Sequence, residues 1–414
     1  MEQSDVLVIG AGVAGLSTAV QLAARGIQVS VIDRGALGSG ATSKASGLLG
    51  QLRGSVAASH MMQESLATLL ALEAETGRKV FTQSGSLRVA QNEARAEELE
   101  QSLQMAELAG IPAERISIAE ASERVPLMRS EDLVAAAYFP SDGYVSPPDV
   151  ASLYVAAGET RGVRFFPGRP VDSLVFEGGR LIGCRSGGQE WRAPVVVNAA
   201  GPWAHQIAGM GGDPLPCAGV GHCYLTVWPE PRIDPLTASL RDRENRLYAR
   251  PTREGAMHIG IYEPRPVLFD LPSLADRFKM ADLGIERFTE SIEILMELAH
   301  RRFPILSSGA PITYTAGVMA WSPDGHPLCG PSEQVAGLYH CAGFCGHGVM
   351  TSAAVGLLMA DLICEGKWRH DPVELTVGRF RDRDDVQDRA FVEHACLHAY
   401  ATCYGAVSED HPGR

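Results

Sequence analysis

The sequence predicts an α/β fold in which a parallel sheet built from βαβ units is interleaved with a second, mostly antiparallel α+β domain, and three observations predict it. The chain opens on a short apolar run, Val6 to Ile9, followed by a glycine-rich turn, a helical stretch and a second apolar run. Short strand-like runs return between Val163 and Asn198. A further block of such runs, 220 to 263, is followed by an amphipathic helical pattern over 285 to 303, carried by Ile285, Phe288, Ile292, Leu295, Leu298 and Ala299. At 414 residues the chain exceeds what one hydrophobic core usually supports, so two intertwined domains are expected.

Composition narrows the class of function. With 45% hydrophobic and 21% charged residues the chain reads as an ordinary globular protein. Lys plus Arg is 36 and Asp plus Glu is 49, a net charge of −13 with no basic block, which argues against a nucleic-acid groove or an anionic membrane surface. The nine cysteines are an odd number without paired C-x-x-C spacing, so neither a disulfide framework nor a zinc ribbon is indicated, and reduced thiols in the cytoplasm are expected. Charge enters at once with Glu2 and Asp5, and no apolar stretch of membrane-spanning length is evident, so neither a signal peptide nor a transmembrane helix is expected.

The first βαβ unit carries the most specific motif. The strand ending at Ile9 runs into Gly10-Ala11-Gly12-Val13-Ala14-Gly15, a helix to Arg25, a stop at Gly26, and a second strand, Val29 to Ile32, that delivers Asp33 and Arg34. Gly10 allows the tight turn, Gly12 lets the backbone approach a pyrophosphate at the helix N-terminus, Gly15 permits close helix packing, and Asp33 accepts hydrogen bonds from a ribose. A glycine-rich turn without a ligand is the plain alternative, and the order strand, turn, helix, strand, acid favours the ligand.

Three later segments favour FAD over NAD. Gly40-Ala41-Thr42-Ser43, with Ser46, Gly47 and Leu48, offers small residues and hydroxyls where a long cofactor would continue past its pyrophosphate; Val171 begins a strand suited to lining an adenine; and Gly343-Phe-Cys-Gly346-His347-Gly348 places a backbone loop before a helix that begins with Val349 and Met350. A helix start supplies N–H donors and positive potential for the anion that develops at the pyrimidine end of a reduced flavin. The remaining elements read as helices near 60 to 75, 92 to 109 and 149 to 160, strands over Val163 to Phe166, Val171 to Phe176, Arg180 to Arg185 and Val195 to Asn198, the latter group being the core sheet returning, and a small-residue helix to about Glu365. The expected division is a cofactor domain of 1–85, 145–212 and 325–366, a substrate domain of 86–144 and 213–324, and a tail of 367–414.

The opening motif, the run Ala199-Ala200-Gly201-Pro202-Trp203 and the Gly343 to Gly348 loop together resemble the D-amino acid oxidase and glycine oxidase superfamily of FAD-dependent oxidoreductases. Ser46-Gly-Leu-Leu-Gly-Gln-Leu-Arg53, Leu247-Tyr-Ala-Arg-Pro, Gly260-Ile-Tyr-Glu-Pro264, Ser322-Pro-Asp-Gly325 and Val377-Gly-Arg-Phe380 are similar to its sarcosine and dimethylglycine dehydrogenase branch. The resemblance implies a Rossmann-like FAD-binding domain interleaved with an antiparallel-sheet substrate domain, of the glutathione reductase and D-amino acid oxidase type. It also implies oxidation of the C–N bond of a secondary or tertiary amine such as sarcosine or dimethylglycine, with hydride leaving for flavin N5 and hydrolysis of the resulting iminium. A D-amino acid or cyclic imino acid dehydrogenase or oxidase, and a catalytically silent flavoprotein-like regulatory subunit, are the other readings.

Within that resemblance Tyr248 and Tyr262 are candidates to hold the substrate, although two core tyrosines on strands would look the same. His347 is a candidate for proton transfer or stabilisation of reduced flavin, and Arg53 matches a family arginine near flavin or substrate. His258 stands by loose alignment where related oxidases carry an oxygen-activating lysine, so oxygen is expected to be a poor acceptor and an electron-transfer protein or a quinone is favoured over it. Three positions depart from the family pattern. Lys44 replaces a histidine that attaches to flavin, Gly317 replaces an attaching cysteine, and Met319 replaces an arginine that binds a substrate carboxylate in glycine oxidase. Non-covalent FAD is therefore expected, with Arg53 or Arg250 as the alternative carboxylate partner. His340, Cys341, Cys345 and His347 have metal-ligand chemistry, but they flank the glycine-rich turn, and no metal is expected. The stretch His394 to Tyr400, with Cys396 and Cys403 in or near it, is expected to pack on the domain surface; it resembles the family's junction to a folate-binding aminomethyltransferase-like domain, expected here to be missing or supplied by a partner subunit.

Overall fold

The computed structural model describes residues 2–271, 284–370 and 373–403. A six-stranded sheet has the order Arg164–Phe166, Val29–Ile32, Val6–Ile9, Val195–Asn198, Leu338–Ala342, Leu328–Pro331, with every neighbouring pair parallel except the last. Val6–Ile9 and Val29–Ile32 are buried throughout, which explains why they are apolar without alternation: both faces of the sheet are covered. On one face Val6, Val8, Val29, Val31 and Val197 pack with the helices Val13–Ala23, Val56–Thr76, Pro147–Thr160 and Gly348–Glu365. On the other, Leu7, Ile9, Ile32, Val196 and Leu338 pack under Leu174, Leu181 and Trp191.

Those last three residues belong to a small sheet that corrects the sequence reading. Only Arg164–Phe166 and Val195–Asn198 return to the core; between them Ser173–Glu177, Arg180–Ser186 and Gln189–Arg192 form an antiparallel ladder with Glu2–Gln3 at its edge. The reason is local. Gly178-Gly179 (φ 57° and 78°) and Gly187-Gly188 (φ 54° and 78°) close two tight hairpins, whereas re-entry into a parallel sheet would need a crossover of a dozen residues or more. Val171 consequently precedes a strand that begins at Ser173.

An eight-stranded sheet runs Ile312–Trp321, Ala218–Val227, Met257–Ile261, Leu247–Pro251, Ser239–Asp242, Ser86–Ala90, Ala135–Phe139, Glu114–Ile116. Its central strands alternate between two faces. Cys223, Leu225, Val227, Leu240, Leu247, Ala249, Met257, Ile259, Ile261 and Val318 form one core with Leu295 and Ala299 of the helix Thr289–Arg302. Their sequence neighbours His222, Tyr224, Arg241, Tyr248, Arg250, His258, Gly260, Gly317 and Met319 therefore share the opposite face.

Two helices bear on the sequence expectations. Gly348–Glu365 is, by length and composition, apolar enough to cross a membrane; in the fold it is mostly buried against the helices Val13–Ala23 and Val56–Thr76, so its apolarity is that of a core helix. Arg389–Thr402 buries Val392, Cys396 and Tyr400, a stripe at four-residue spacing, against the strand Ala218–Val227 and Trp321.

The contact between Val13–Ala23 and Gly348–Glu365 is tight enough to require glycine. A Cβ on Gly356 would lie 2.2 Å from Ser17 Oγ and 2.8 Å from the Ser17 carbonyl carbon. Gly356→Val is expected to destabilise the protein by about 1–3 kcal/mol in chemical denaturation, the usual cost of overpacking. An unchanged midpoint would show that these helices have slack.

Candidate functional site

A cavity of about 1060 Å³ lies between the carboxyl ends of the parallel strands and the polar face of the eight-stranded sheet. Its first wall is the opening motif. Gly10 adopts φ 111°, and a Cβ there would fall 2.3 Å from the Ala199 carbonyl oxygen. A Cβ on Gly15 would meet Gly10 O at 2.0 Å, so the glycine brings the helix onto the turn. The Val13 N–H donates to Thr42 Oγ1 at 3.1 Å. Asp33, at the end of the second strand, accepts from Ala11 N at 2.7 Å and Gly35 N at 2.6 Å; burial pushes its carboxyl above the ordinary value in spite of those bonds.

Gly10, Gly12, Val13, Ala14, Asp33, Arg34, Gly40, Ala41, Thr42, Ser46, Gly47, Leu48, Val171, Ala200, Gly201 and Trp203 all line the cavity. Arg34 stacks over the Trp203 ring at 4.8 Å. Gly15 does not line it; its part is the helix contact. Ser43 does not line the cavity either, because the tight helical turn Ala41–Lys44 directs Thr42 inward while Ser43 Oγ donates to Ser39 O and Gly40 O, both at 3.0 Å.

The opposite end of the chain completes the cavity. Gly343 (φ 66°), Cys345 (φ 50°) and Gly346 (φ 78°) turn the backbone so that Gly348–Glu365 starts at the wall, and Gly343, Gly346, His347, Gly348, Val349 and Met350 all line it. Two helix N-termini thus open on one cavity, each offering N–H donors and positive potential to an anionic cofactor. The Cβ-free cradle at Gly10, the acid on the second strand and these helix starts fit FAD.

The facing wall is aromatic and titratable. His222, Arg241, Tyr248, Tyr262 and Met319 line the cavity from the polar sheet face. Tyr248 has room because its neighbour is Gly260, whose Cβ would overlap the ring at 2.3 Å. His222 Nε2 lies 2.7 Å from Tyr248 Oη, and Nδ1 lies 2.8 Å from Tyr400 Oη and 3.2 Å from Glu263 Oε2. Tyr400 also donates to Glu263 Oε2. Glu263 is 1% exposed; burial opposes its charge, but His222 and the hydrogen bonds of His222 and Tyr400 outweigh it and hold the carboxyl below its ordinary value. Burial raises the phenols of Tyr248 and Tyr400 well above theirs.

Sequence reasoning found Tyr248 and Tyr262 here but missed His222, Arg241, Glu263 and Tyr400. The period-two pattern of Ala218–Val227 could have found His222, since Cys223, Leu225 and Val227 point the other way, whereas Ser239–Asp242, with Leu240 its one apolar residue, gives little signal for Arg241. Tyr400 arrives from the far end of the chain, which no local pattern reports.

Other candidates fall elsewhere. Arg53 is not part of the cavity lining; it donates to Leu52 O at 3.0 Å and contacts Met350 Sδ behind the His347 loop. His258 is also outside the lining, packed 4.9 Å from the Tyr224 ring, so the expectation about oxygen drawn from it has no footing in the cavity. Arg250, paired across the strands with His258, donates to Ser46 O and Pro251 O. Lys44 does line the cavity, and its side chain lies against Gly317, so the two departures from covalent attachment are neighbours. His340 Nε2 is 2.8 Å from Asp213 Oδ2, a structural pairing, and among the described residues no group of three or more His, Cys, Asp or Glu is arranged to hold a metal.

Residues 5–362 match the family model described as DAO, FAD dependent oxidoreductase. The chain is 29% identical over 414 aligned residues to mitochondrial sarcosine dehydrogenase of Homo sapiens, covering 98% of this chain and 44% of that protein. It is 27% identical to glycine oxidase of Geobacillus kaustophilus, covering 87% and 92% respectively. The crystal structure of L-proline dehydrogenase from P. horikoshii superposes with a TM-score of 0.82 at 25% identity, covering 92% of this chain and 98% of that one. The chain spans about half the length of the sarcosine dehydrogenase it matches.

Three imidazoles are held neutral by the fold. Burial first, then the charges of Arg53 and Arg241, push His347 down to about 3; burial and Arg250 push His258 to about 3; burial and Arg389 push His205 to about 4. Below the ordinary histidine value of 6.5 the unfolded chain takes up protons that the fold refuses, so stability falls as pH drops from about 6.5 toward 4. Denaturation midpoints measured across that window are expected to decline steadily, and less steeply in His258→Asn. Equal slopes in the two proteins would contradict a neutral buried His258.

Proposed function

This chain belongs to the FAD-dependent oxidoreductase family, and from that premise we propose that it oxidises the C–N bond of a secondary or tertiary amine bearing a carboxylate, an N-alkyl amino acid of the sarcosine or dimethylglycine kind. The observation that carries this reading is the chain Tyr248, His222, Glu263, set beside Arg241 on one sheet face and open to the cavity with the two helix starts. The related proteins support it: sarcosine, glycine and proline, named in their descriptions, are all amines with a carboxylate.

The Gly10 to Gly15 turn, Asp33, Thr42 and the Gly346 to Met350 helix start would hold FAD without a covalent bond, since Lys44 and Gly317 offer no attachment. When bound, FAD supplies the hydride acceptor for the carbon beside nitrogen, leaving an iminium that water hydrolyses.

The protein must present a neutral amine, because an ammonium has no lone pair to drive the hydride out, and free alkyl amines have pKa values of about 10, like lysine. Tyr248 Oη accepts the ammonium proton while its own proton passes to His222 Nε2, 2.7 Å away. The imidazolium so formed faces the Glu263 carboxylate, so the charge does not stay buried alone. Arg241 is the cross-strand neighbour of Tyr248 and takes the substrate carboxylate, replacing the role that Met319 cannot fill. Met319 instead gives the N-alkyl group an apolar neighbour.

Anaerobic bleaching of bound flavin by N-methyl, primary and cyclic amino acids tests this directly. The N-methyl compounds are expected to bleach it fastest. Arg241→Met is expected to raise the half-saturating concentration roughly tenfold to a hundredfold, the cost of a charge-assisted hydrogen bond, with a smaller change in limiting rate. No bleaching by any amine, or an unchanged half-saturation in the variant, would overturn the reading. Acid precipitation should leave the flavin in the supernatant.

A further inference from the structure

The C-terminal helix places a side chain inside the titratable wall. Arg389–Thr402 packs on the strand Ala218–Val227, and Tyr400, fully buried, brings its hydroxyl to 2.8 Å from His222 Nδ1 while donating to Glu263 Oε2. Its ring rests on Trp321 at 5.0 Å and on Tyr262 at 5.6 Å, so the hydroxyl has little freedom to leave. The other oxygen of Glu263 accepts from the Cys223 N–H at 3.3 Å, which fixes the carboxylate to the same strand as His222. Among the described residues the one ion pair that Glu263 makes is with His222.

Hydrogen-bond accounting then sets the tautomer of His222. Tyr400 gives its proton to Glu263, so both atoms facing Nδ1, the phenol oxygen and Oε2, are acceptors, and the ring proton belongs on Nδ1. Nε2 is left with its lone pair toward Tyr248 Oη, the side that opens on the cavity.

We propose that Glu263 and Tyr400 are positioning residues, a carboxylate and phenol clamp that holds His222 with Nδ1 protonated and Nε2 free to accept a proton through Tyr248, and that the C-terminal helix is thereby part of the catalytic apparatus. The inference rests on the amine reading for its kinetic consequence, but the tautomer itself needs no substrate. The groups facing His222 are Glu263 and Tyr262 after the strand Met257–Ile261, Tyr248 from Leu247–Pro251 and Tyr400 from the helix. Arg246 stands just behind them, bonded to Tyr262 O at 2.7 Å and to Ala401 O, and Arg241 and Cys403 lie at the edge of the group. Of these Glu263 is the one carboxylate, so its removal takes away the counter-charge that an imidazolium at His222 would have.

The test uses the full chain with its flavin and two readouts. In ¹⁵N-histidine NMR, with the resonance assigned by its loss in His222→Gln, the wild type is expected to show the Nδ1–H tautomer and Glu263→Gln a mixture or the Nε2–H form. In anaerobic flavin reduction by an N-methyl amino acid across pH 6 to 10, Glu263→Gln is expected to run roughly tenfold or more slower at neutral pH and to recover at the alkaline end, where the amine loses its proton unaided. Tyr400→Phe, which keeps the ring packing, is expected to move the acid limb the same way by a smaller step. An Nε2–H tautomer in the wild type, or a rate loss of one factor at every pH, would overturn the proposal. If no amine reduces the wild-type flavin, the amine reading fails while the NMR result still decides the clamp.

Discussion

Backbone meets backbone at Gly10. Its α-carbon faces the Ala199 carbonyl with no space for a side chain, and Gly15 in turn rests on Gly10 O. That double contact fixes where the first helix starts relative to the strands Val6–Ile9 and Val195–Asn198, and so fixes the cradle into which a pyrophosphate fits. It also fixes what stands across the cavity. The run after Val195–Asn198, Ala199 to Trp203, forms a wall and leads through the helix Ala204–Gly209 into the eight-stranded sheet at Ala218. A side chain at Gly10 would separate these elements and, with them, cofactor from substrate.

The eight-stranded sheet turns a simple period of two into a division of labour. Its apolar face is closed by the helix Thr289–Arg302, and this burial pins the register, since a slip of one residue would carry His222, Arg241 and Tyr248 into the core. The opposite face packs as well, through Val220, Tyr248 and Trp321 against Tyr400 and through Ala137 and Phe139 further along the sheet. It also carries His222, Arg241 and Tyr248, and the hydrogen-bonded chain of Tyr248, His222, Glu263 and Tyr400 draws on three adjacent strands and their ends plus one distant helix.

Much of the glycine-rich wall of the cavity was legible in the sequence because its residues are local. Gly10, Gly12 and Asp33 form one continuous βαβ unit whose spacing reports them, and Gly343 to Met350 form one loop and helix start, which the family resemblance singled out. Ser43 was misread because a tight helical turn alternates its side chains over a distance too short for composition to resolve. The facing wall of the cavity was legible only in part. Tyr248 and Tyr262 stood out as aromatics, whereas His222 and Arg241 needed strand register, and the Glu263 to Tyr400 contact spans 137 residues. Arg53 and His258 were candidates through the family resemblance and Arg250 as an alternative cation; the fold sets Arg53 against Leu52 O and Met350 Sδ, spends Arg250 on backbone carbonyls, and leaves His258 neutral beside Arg250.

The polar sheet face is the proposed substrate wall. A crystal structure of the FAD-bound, chemically reduced protein soaked anaerobically with an N-methyl amino acid tests it most directly. The account predicts the substrate carboxylate within hydrogen-bonding distance of the Arg241 guanidinium and the substrate nitrogen within that of Tyr248 Oη. A carboxylate held by Arg53, or a nitrogen beyond reach of Tyr248, would contradict it.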